Sequence, residues 1–266
     1  MNTRRLGKTG LMVSEIGFGG EWLERHPEEE SIELIRYASS MGINILDCWM
    51  ADPKSRDIIG KGIKENRSNW FIQGHIGSTW KDEQYFRTRD MKYVRPAFEC
   101  LLKRLQTDYI DLGMIHYVDS EEEWEQIQHS DYMDYVMELK NNGIIHHIGM
   151  SSHNPKVAVK AAESGFVEMI LFSINPAFDM LPASENIDTM FADEFDNNLK
   201  GIDADRARLY KVCEQNDVGI TVMKGFAGGR LFDVRCQPDA GAVYPLCTDQ
   251  TCSCFHHVRL RHERTD

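Results

Sequence analysis

Seven short apolar segments alternate along this chain with six amphipathic stretches and the polar turns between them, and that alternation constrains its fold more than any other feature. Ile16–Gly19, Ile43–Cys48, Trp70–Ile76, Asp108–His116, Ile144–Met150, Glu168–Ile174 and Gly219–Met223 read as strands. The intervening stretches Pro27–Ser40, Ser55–Lys64, Met91–Leu105, Tyr132–Lys140, Pro155–Ser164 and Asp203–Asn216 read as helices. Ile32, Ile35 and Ala38 mark the inner face of the first, and Gly42 and Asn142-Gly143 are stop signals. The run Asp108-Tyr-Ile-Asp-Leu-Gly-Met-Ile-His116 has the composition of a parallel strand covered on both faces. Regular spacing favours a (β/α)8 TIM-type barrel over an open doubly wound sheet. The opening Arg4–Ser14 predicts a β-hairpin that turns at Lys8-Thr-Gly10 and plugs the barrel bottom.

A chain of 266 residues is long enough for one well-buried core. It shows no signal peptide and no apolar run near membrane-spanning length, so it is expected to be cytoplasmic with no membrane partner. A net charge of -12 argues against a nucleic-acid partner, and the acidic runs Pro27–Glu30 and Glu121–Glu125 read as solvated helix starts. Of seven cysteines, Cys48, Cys100 and Cys213 fall in predicted elements as reduced thiols. Cys236, Cys247, Cys252 and Cys254 crowd the tail.

In a (β/α) barrel the chemistry sits at the C-terminal strand ends. Asp47, Asp52, His75, His116 and His153 each end or follow a predicted strand, and they are expected to converge there. His116 alone reads equally well as a core histidine bonded to a neighbouring backbone group. Together, the His and Asp residues admit a metal-dependent hydrolase, isomerase or lyase. With no HExxH and no closely paired ligands, no metal site is assigned.

The motifs RRLGKTGLMVSEIGFGG, NILDCW, DYIDLGMIH, HHIGMSSH and GITVMKGFAGGRL stand in the order and spacing of the aldo/keto reductases, which the chain resembles from about Arg4 to Phe232. The nearest resemblance is to the branch with a C-terminal iron–sulfur extension. It implies an NADP(H)-dependent oxidoreductase acting on a small-molecule carbonyl or alcohol substrate through an Asp, Tyr, Lys and His tetrad. Asp47 and His116 match the family Asp and His, whereas Asp52 stands where Tyr is expected and His75 where Lys is expected. The exchange implies altered chemistry, with Asp52 or His75 as the acid, or a non-catalytic pseudoenzyme. An Asp, with a reference pKa of about 3.9, keeps its proton only beside a like charge or under strong desolvation. The resemblance assigns cofactor contacts to Ser151, Ser152 and Asn175 around the nicotinamide, and to Lys224, Gly228, Gly229 and Arg230 around the pyrophosphate. Phe172 falls near the family Gln position, and Trp22, Trp49 and Trp80 are pocket candidates.

After Phe232 the pattern stops. Residues 233–266 show no helical or strand period, cluster their cysteines and histidines, and end basic. Permitted codons for this tail, read one base forward, yield SGVSLTPVQCIHYAPTRPVAVSIMSGYD, which resembles the missing family segment. We therefore expect a reductase-like domain at 1–232 and an aberrant, frameshifted tail at 233–266. The expected barrel is truncated, incomplete at the C-terminus, and weakened in its hold on NADP(H).

Overall fold

The computed structural model describes residues 1–191 and 201–227, with the backbone of Cys252–His256. In chain order the strands are β1 (Thr3–Arg5), β2 (Met12–Ser14), β3 (Ile16–Gly19), β4 (Ile45–Cys48), β5 (Phe71–Ile76), β6 (Ser78–Lys81), β7 (Gln84–Arg87), β8 (Ile110–Ile115), β9 (Ile145–Ser152), β10 (Met169–Ser173), β11 (Gly219–Met223) and β12 (Cys252–His256). The helices are α1 (Glu28–Ser40), α2 (Pro53–Ile63), α3 (Met91–Leu105), α4 (Glu121–Gln128), α5 (Asp131–Asn141), α6 (Pro155–Glu163) and α7 (Ala204–Gln215). None of the described helices is long and apolar enough to cross a membrane.

The chain is a (β/α)8 TIM-type barrel, closed in the order β10-β11-β12-β3-β4-β5-β8-β9. All seven strands read from the sequence are there. The period-2 alternation of a strand separates two cores. Leu46, Ile72 and Ile76 point outward and pack with Ile58, Ile59, Val94 and Leu101 of the helices. Ile45, Leu112, Met114, Met169 and Leu171 point inward and meet Leu6 and Val13 of the hairpin, which plugs the bottom as its sequence predicts. The plug sits close. A Cβ on Gly219 would lie 2.7 Å from Leu6, and one on Gly7, whose φ is +49°, would lie 2.2 Å from the Gly219 nitrogen.

Helix starts follow from local chemistry. Asp52, Asp90, Ser120, Ser130, Asn154 and Asp203 each accept a backbone N–H from the first turn of the helix they precede. Near the barrel bottom, Glu168 joins β10 to its neighbours through Lys140, His147 and the Ile148 N–H. Burial alone would raise its pKa, but these three donors outweigh it and hold it at about 2 against an ordinary 4.5. A depressed carboxylate stabilises the fold above the unfolded value and loses that contribution as pH falls through the native one. Glu168→Gln is therefore expected to flatten the acid limb of the stability curve between those two values. An unchanged limb in acid titrations of thermal unfolding would sink this reading.

One expectation is corrected. The sequence led us to expect a barrel without a closing strand, yet the backbone of Cys252–His256 pairs in parallel with both Ile220–Val222 and Ile16–Phe18. Open edges on β11 and β3 carry unpaired N–H and C=O groups, and any extended segment that reaches both satisfies them whatever its side-chain period. Of the predicted tail, only Cys252–His256 lies among the described residues; Cys236 and Cys247 lie outside them.

Candidate active site

At the C-terminal mouth the inward positions turn from apolar to polar. Asp47 ends the inward face of β4, Gln73 and His75 lie on β5, His116 follows β8, and Thr221 lies on β11. They form one hydrogen-bonded chain. Thr221 Oγ1 donates to Gln73 Oε1 at 3.0 Å, and Gln73 Nε2 donates to Asp47 Oδ1 at 3.0 Å. His75 Nε2 lies 2.9 Å from the same Asp47 oxygen, and His75 Nδ1 lies 2.8 Å from His116 Nδ1. His116 Nε2 lies 2.7 Å from the Tyr85 hydroxyl. The acceptor-only end at Asp47 orients the whole run: Tyr85 O–H donates to His116 Nε2, His116 Nδ1–H to His75 Nδ1, and His75 Nε2–H to Asp47.

Burial, reinforced by His75 and Arg89, pushes His116 well below its ordinary value, so it stays neutral. Burial also pushes the Tyr85 phenol up to about 12, so it keeps its proton. Every ring nitrogen of His75 and His116 is engaged within the chain. Among the described residues no group of three or more His, Cys, Asp or Glu is arranged to hold a metal ion.

Tyr85 was not legible as a site residue. It stands on a hairpin, β6–β7, that follows β5 directly and pairs Trp80 with Tyr85 across the two-residue turn Asp82-Glu83. Both turn residues have positive φ, 51° and 60°, the twist of a type I′ turn. Asp-Glu carries no Asn-Gly signature, so only the weak alternation of Thr79-Trp80 and Tyr85-Phe86 hinted at it. The hairpin sets the Tyr85 ring edge-on to His116 at 5.8 Å and to Trp49 at 5.3 Å. Trp49 lies parallel to His116 at 6.1 Å, so one of the three tryptophan candidates does line the mouth. Trp22 instead stacks under the Arg25 guanidinium.

Asp52 does not join the chain, and the expectation that it takes the place of the family Tyr is corrected. Its carboxylate caps α2, accepting the Ser55 N–H at 2.8 Å, with Pro53 in the first helical turn. Asp-Pro before an amphipathic run is a helix-start signal, and it was present in the sequence. Lys54 points away too, onto the Glu24 carbonyl. Asp52→Ala is accordingly expected to lower stability by about 1 kcal/mol through the lost cap and to leave turnover per folded molecule unchanged. A loss of kcat exceeding the loss of folded protein would return Asp52 to the site.

The remaining predicted contacts separate. Ser151 is buried at the mouth and accepts the Tyr117 N–H at 2.8 Å. Ser152 turns aside to donate to Asp119 at 3.0 Å. Asn175 accepts from the Ala177 and Phe178 N–H groups and donates to the Lys224 carbonyl, which makes it a clip between two loops. Lys224 has a φ of 57° and turns inward, its Nζ 3.0 Å from His153 Nε2. Gly228, Gly229 and Arg230 lie outside the described residues. Ser173, on the same side of β10 as Met169 and Leu171, has a buried hydroxyl with no hydrogen-bond partner.

The family model described as "Aldo/keto reductase family" matches residues 15–241. Aldo-keto reductase YhdN of Bacillus subtilis is 34% identical over 161 residues, which cover 57% of this chain and 47% of that protein. The solved structure of aldo-keto reductase AKR11C1 from Bacillus halodurans, in a holo form, superposes with a TM-score of 0.70 at 21% identity, over 96% of this chain and 85% of that one. An aldo/keto reductase from Klebsiella pneumoniae, in complex with NADP and acetate, gives 0.64 at 18% identity, over 96% and 84%. At these identities the structural likeness is one of fold. The chain spans about half the length of the curated relatives it matches.

Proposed function

Because the chain belongs to the aldo/keto reductase family, we propose that it is an NADP(H)-dependent oxidoreductase that interconverts a small carbonyl compound and its alcohol, with Tyr85 as the acid. The observation that carries this reading is the Asp47–His75–His116–Tyr85 chain at the barrel mouth.

The fit of the cofactor rests on the mouth itself. A nicotinamide carboxamide needs a donor and an acceptor, and Ser151 with the partnerless Ser173 hydroxyl supplies both. The NADP-bound structure from Klebsiella pneumoniae supports the choice of nucleotide. When bound, the nicotinamide supplies or accepts the hydride.

The residues move the proton. For reduction the chain starts with one added proton, lodged on His75 between the Asp47 carboxylate and His116. His75 then donates from Nδ1 to His116 Nδ1, and His116 donates from Nε2 to the Tyr85 oxygen, which frees the Tyr85 proton to face the carbonyl oxygen. As that oxygen gains negative charge, the proton of Tyr85 moves onto it. The His116 Nε2 proton replaces it on Tyr85, and the His75 Nδ1 proton replaces that one on His116. The chain ends neutral, with every hydrogen bond oriented toward Asp47. Oxidation runs the same shifts backward, from the neutral chain. His116 never needs to hold two protons, in keeping with its depressed basicity. The flat walls of Trp49 and Tyr85 favour a carbonyl carried on an apolar or aromatic group.

The test compares directions. NADPH-dependent reduction of an aromatic aldehyde is expected to slow as pH rises, because it consumes the added proton, while NADP-dependent oxidation of the matching alcohol slows as pH falls. Parallel profiles would remove the relay. Absence of nucleotide binding, together with a chelator-sensitive activity, would favour the metal-dependent hydrolase, isomerase or lyase instead.

A further inference from the structure

A second polar chain lies across the mouth, and carbonyl reduction does not use it. Asp119, after β8, accepts the Ser152 hydroxyl and the His153 N–H on Oδ1, and its Oδ2 lies 3.0 Å from His153 Nδ1. His153 therefore carries its proton on Nδ1 and presents a bare Nε2, which lies 3.0 Å from Lys224 Nζ. Asp119 and His153 are buried and Lys224 is half-buried. This is the arrangement of an activated nucleophile: a carboxylate orients an imidazole, and the imidazole's free nitrogen faces the group to be deprotonated. Here that group is a primary amine.

The surroundings agree. Burial lowers the basicity of Lys224, and burial together with the neighbouring Lys224 lowers that of His153. Burial would raise the pKa of Asp119, but its bonds from His153 and Ser152 overcome that and keep it ionised.

We propose that Lys224 forms an imine with aldehydes that enter the barrel mouth, with His153 as its base. The Nζ lone pair attacks the carbonyl carbon, and the π pair moves to oxygen. His153 Nε2 takes one Nζ proton as the C–N bond forms and passes it to the oxygen, giving a carbinolamine. The second Nζ proton leaves with that hydroxyl as water while the nitrogen lone pair closes the C=N bond. No oxidant or reductant takes part. The chain thereby holds a site for covalent capture of aldehydes that does not depend on its reductase reading.

The experiment incubates the full chain with butyraldehyde and cyanoborohydride, without nucleotide, at neutral pH, and maps the butylated peptides by mass spectrometry. Lys224 is expected to be alkylated about tenfold faster than exposed lysines such as Lys54 and Lys81. His153→Gln should remove that excess while the exposed lysines react as before, and Lys224→Met should abolish the adduct with far-ultraviolet circular dichroism unchanged. Modification confined to the exposed lysines, or a Lys224 rate indifferent to His153→Gln in a folded variant, would overturn the proposal. Because no nucleotide is present, failure of the reductase reading leaves this outcome unaffected, and the converse also holds.

Discussion

Tyr85→Phe is expected to lower kcat for aldehyde reduction by roughly 10²–10⁴-fold, the range of one lost general acid, while the affinity for NADPH stays as it was. The ring keeps its edge-on contacts with Trp49 and His116, so only the hydroxyl is removed. Without it, His116 Nε2 loses its 2.7 Å partner and the proton has no exit from the chain. The expected split, kcat lost and KM nearly kept, marks a group that acts in the transition state rather than in binding. Stopped-flow decay of NADPH absorbance in single turnover measures it directly. Equal single-turnover rates for Tyr85→Phe and the parent chain would remove Tyr85 from the chemistry and leave its bond to His116 a packing feature.

The second large effect is on stability. Gly7 and Gly10 both hold positive φ in the β1–β2 hairpin, at 49° and 72°. A Cβ at Gly10 meets nothing within 4 Å, whereas one at Gly7 meets the Gly219 nitrogen at 2.2 Å and the Asp217 carbonyl oxygen at 2.5 Å. Gly10→Ala should therefore cost about 1 kcal/mol of left-handed strain alone. Gly7→Ala adds backbone overpacking and should cost about 3 kcal/mol or more. The difference between the two, read from urea midpoints, reports the docking of the plug beneath β11. Equal losses would mean that the hairpin lifts away without consequence.

These two residues show how unevenly the molecule could be read from its sequence. Hairpin, strands and helices were legible because hydrophobic period and stop signals act over a few residues, and Leu6 and Val13 fell where an inward plug needs them. Asp47, His75 and His116 were legible because strand ends in a barrel share one mouth. Their connection was not, since a bond between β5 and the residue after β8 depends on strand tilt and rotamer. Asp52 misled because a motif position was read before the local helix cap. Tyr85 escaped because its turn has weak chemistry and its partner lies 31 residues away. The closing strand escaped for another reason: β12 is recruited by the open edges it meets, which no window of its own sequence encodes.

The β6–β7 hairpin separates two properties that a barrel strand would hold together. His75 and His116 are fixed by a sheet paired on both sides, but Tyr85 reaches them on a ribbon of two short strands bent at Asp82-Glu83. A proton donor mounted in this way has an alignment set by the stiffness of one bend and a reach set by its length. On the proposed relay, exchange of those two turn residues would retune the timing of proton delivery without disturbing the barrel strands that carry His75 and His116.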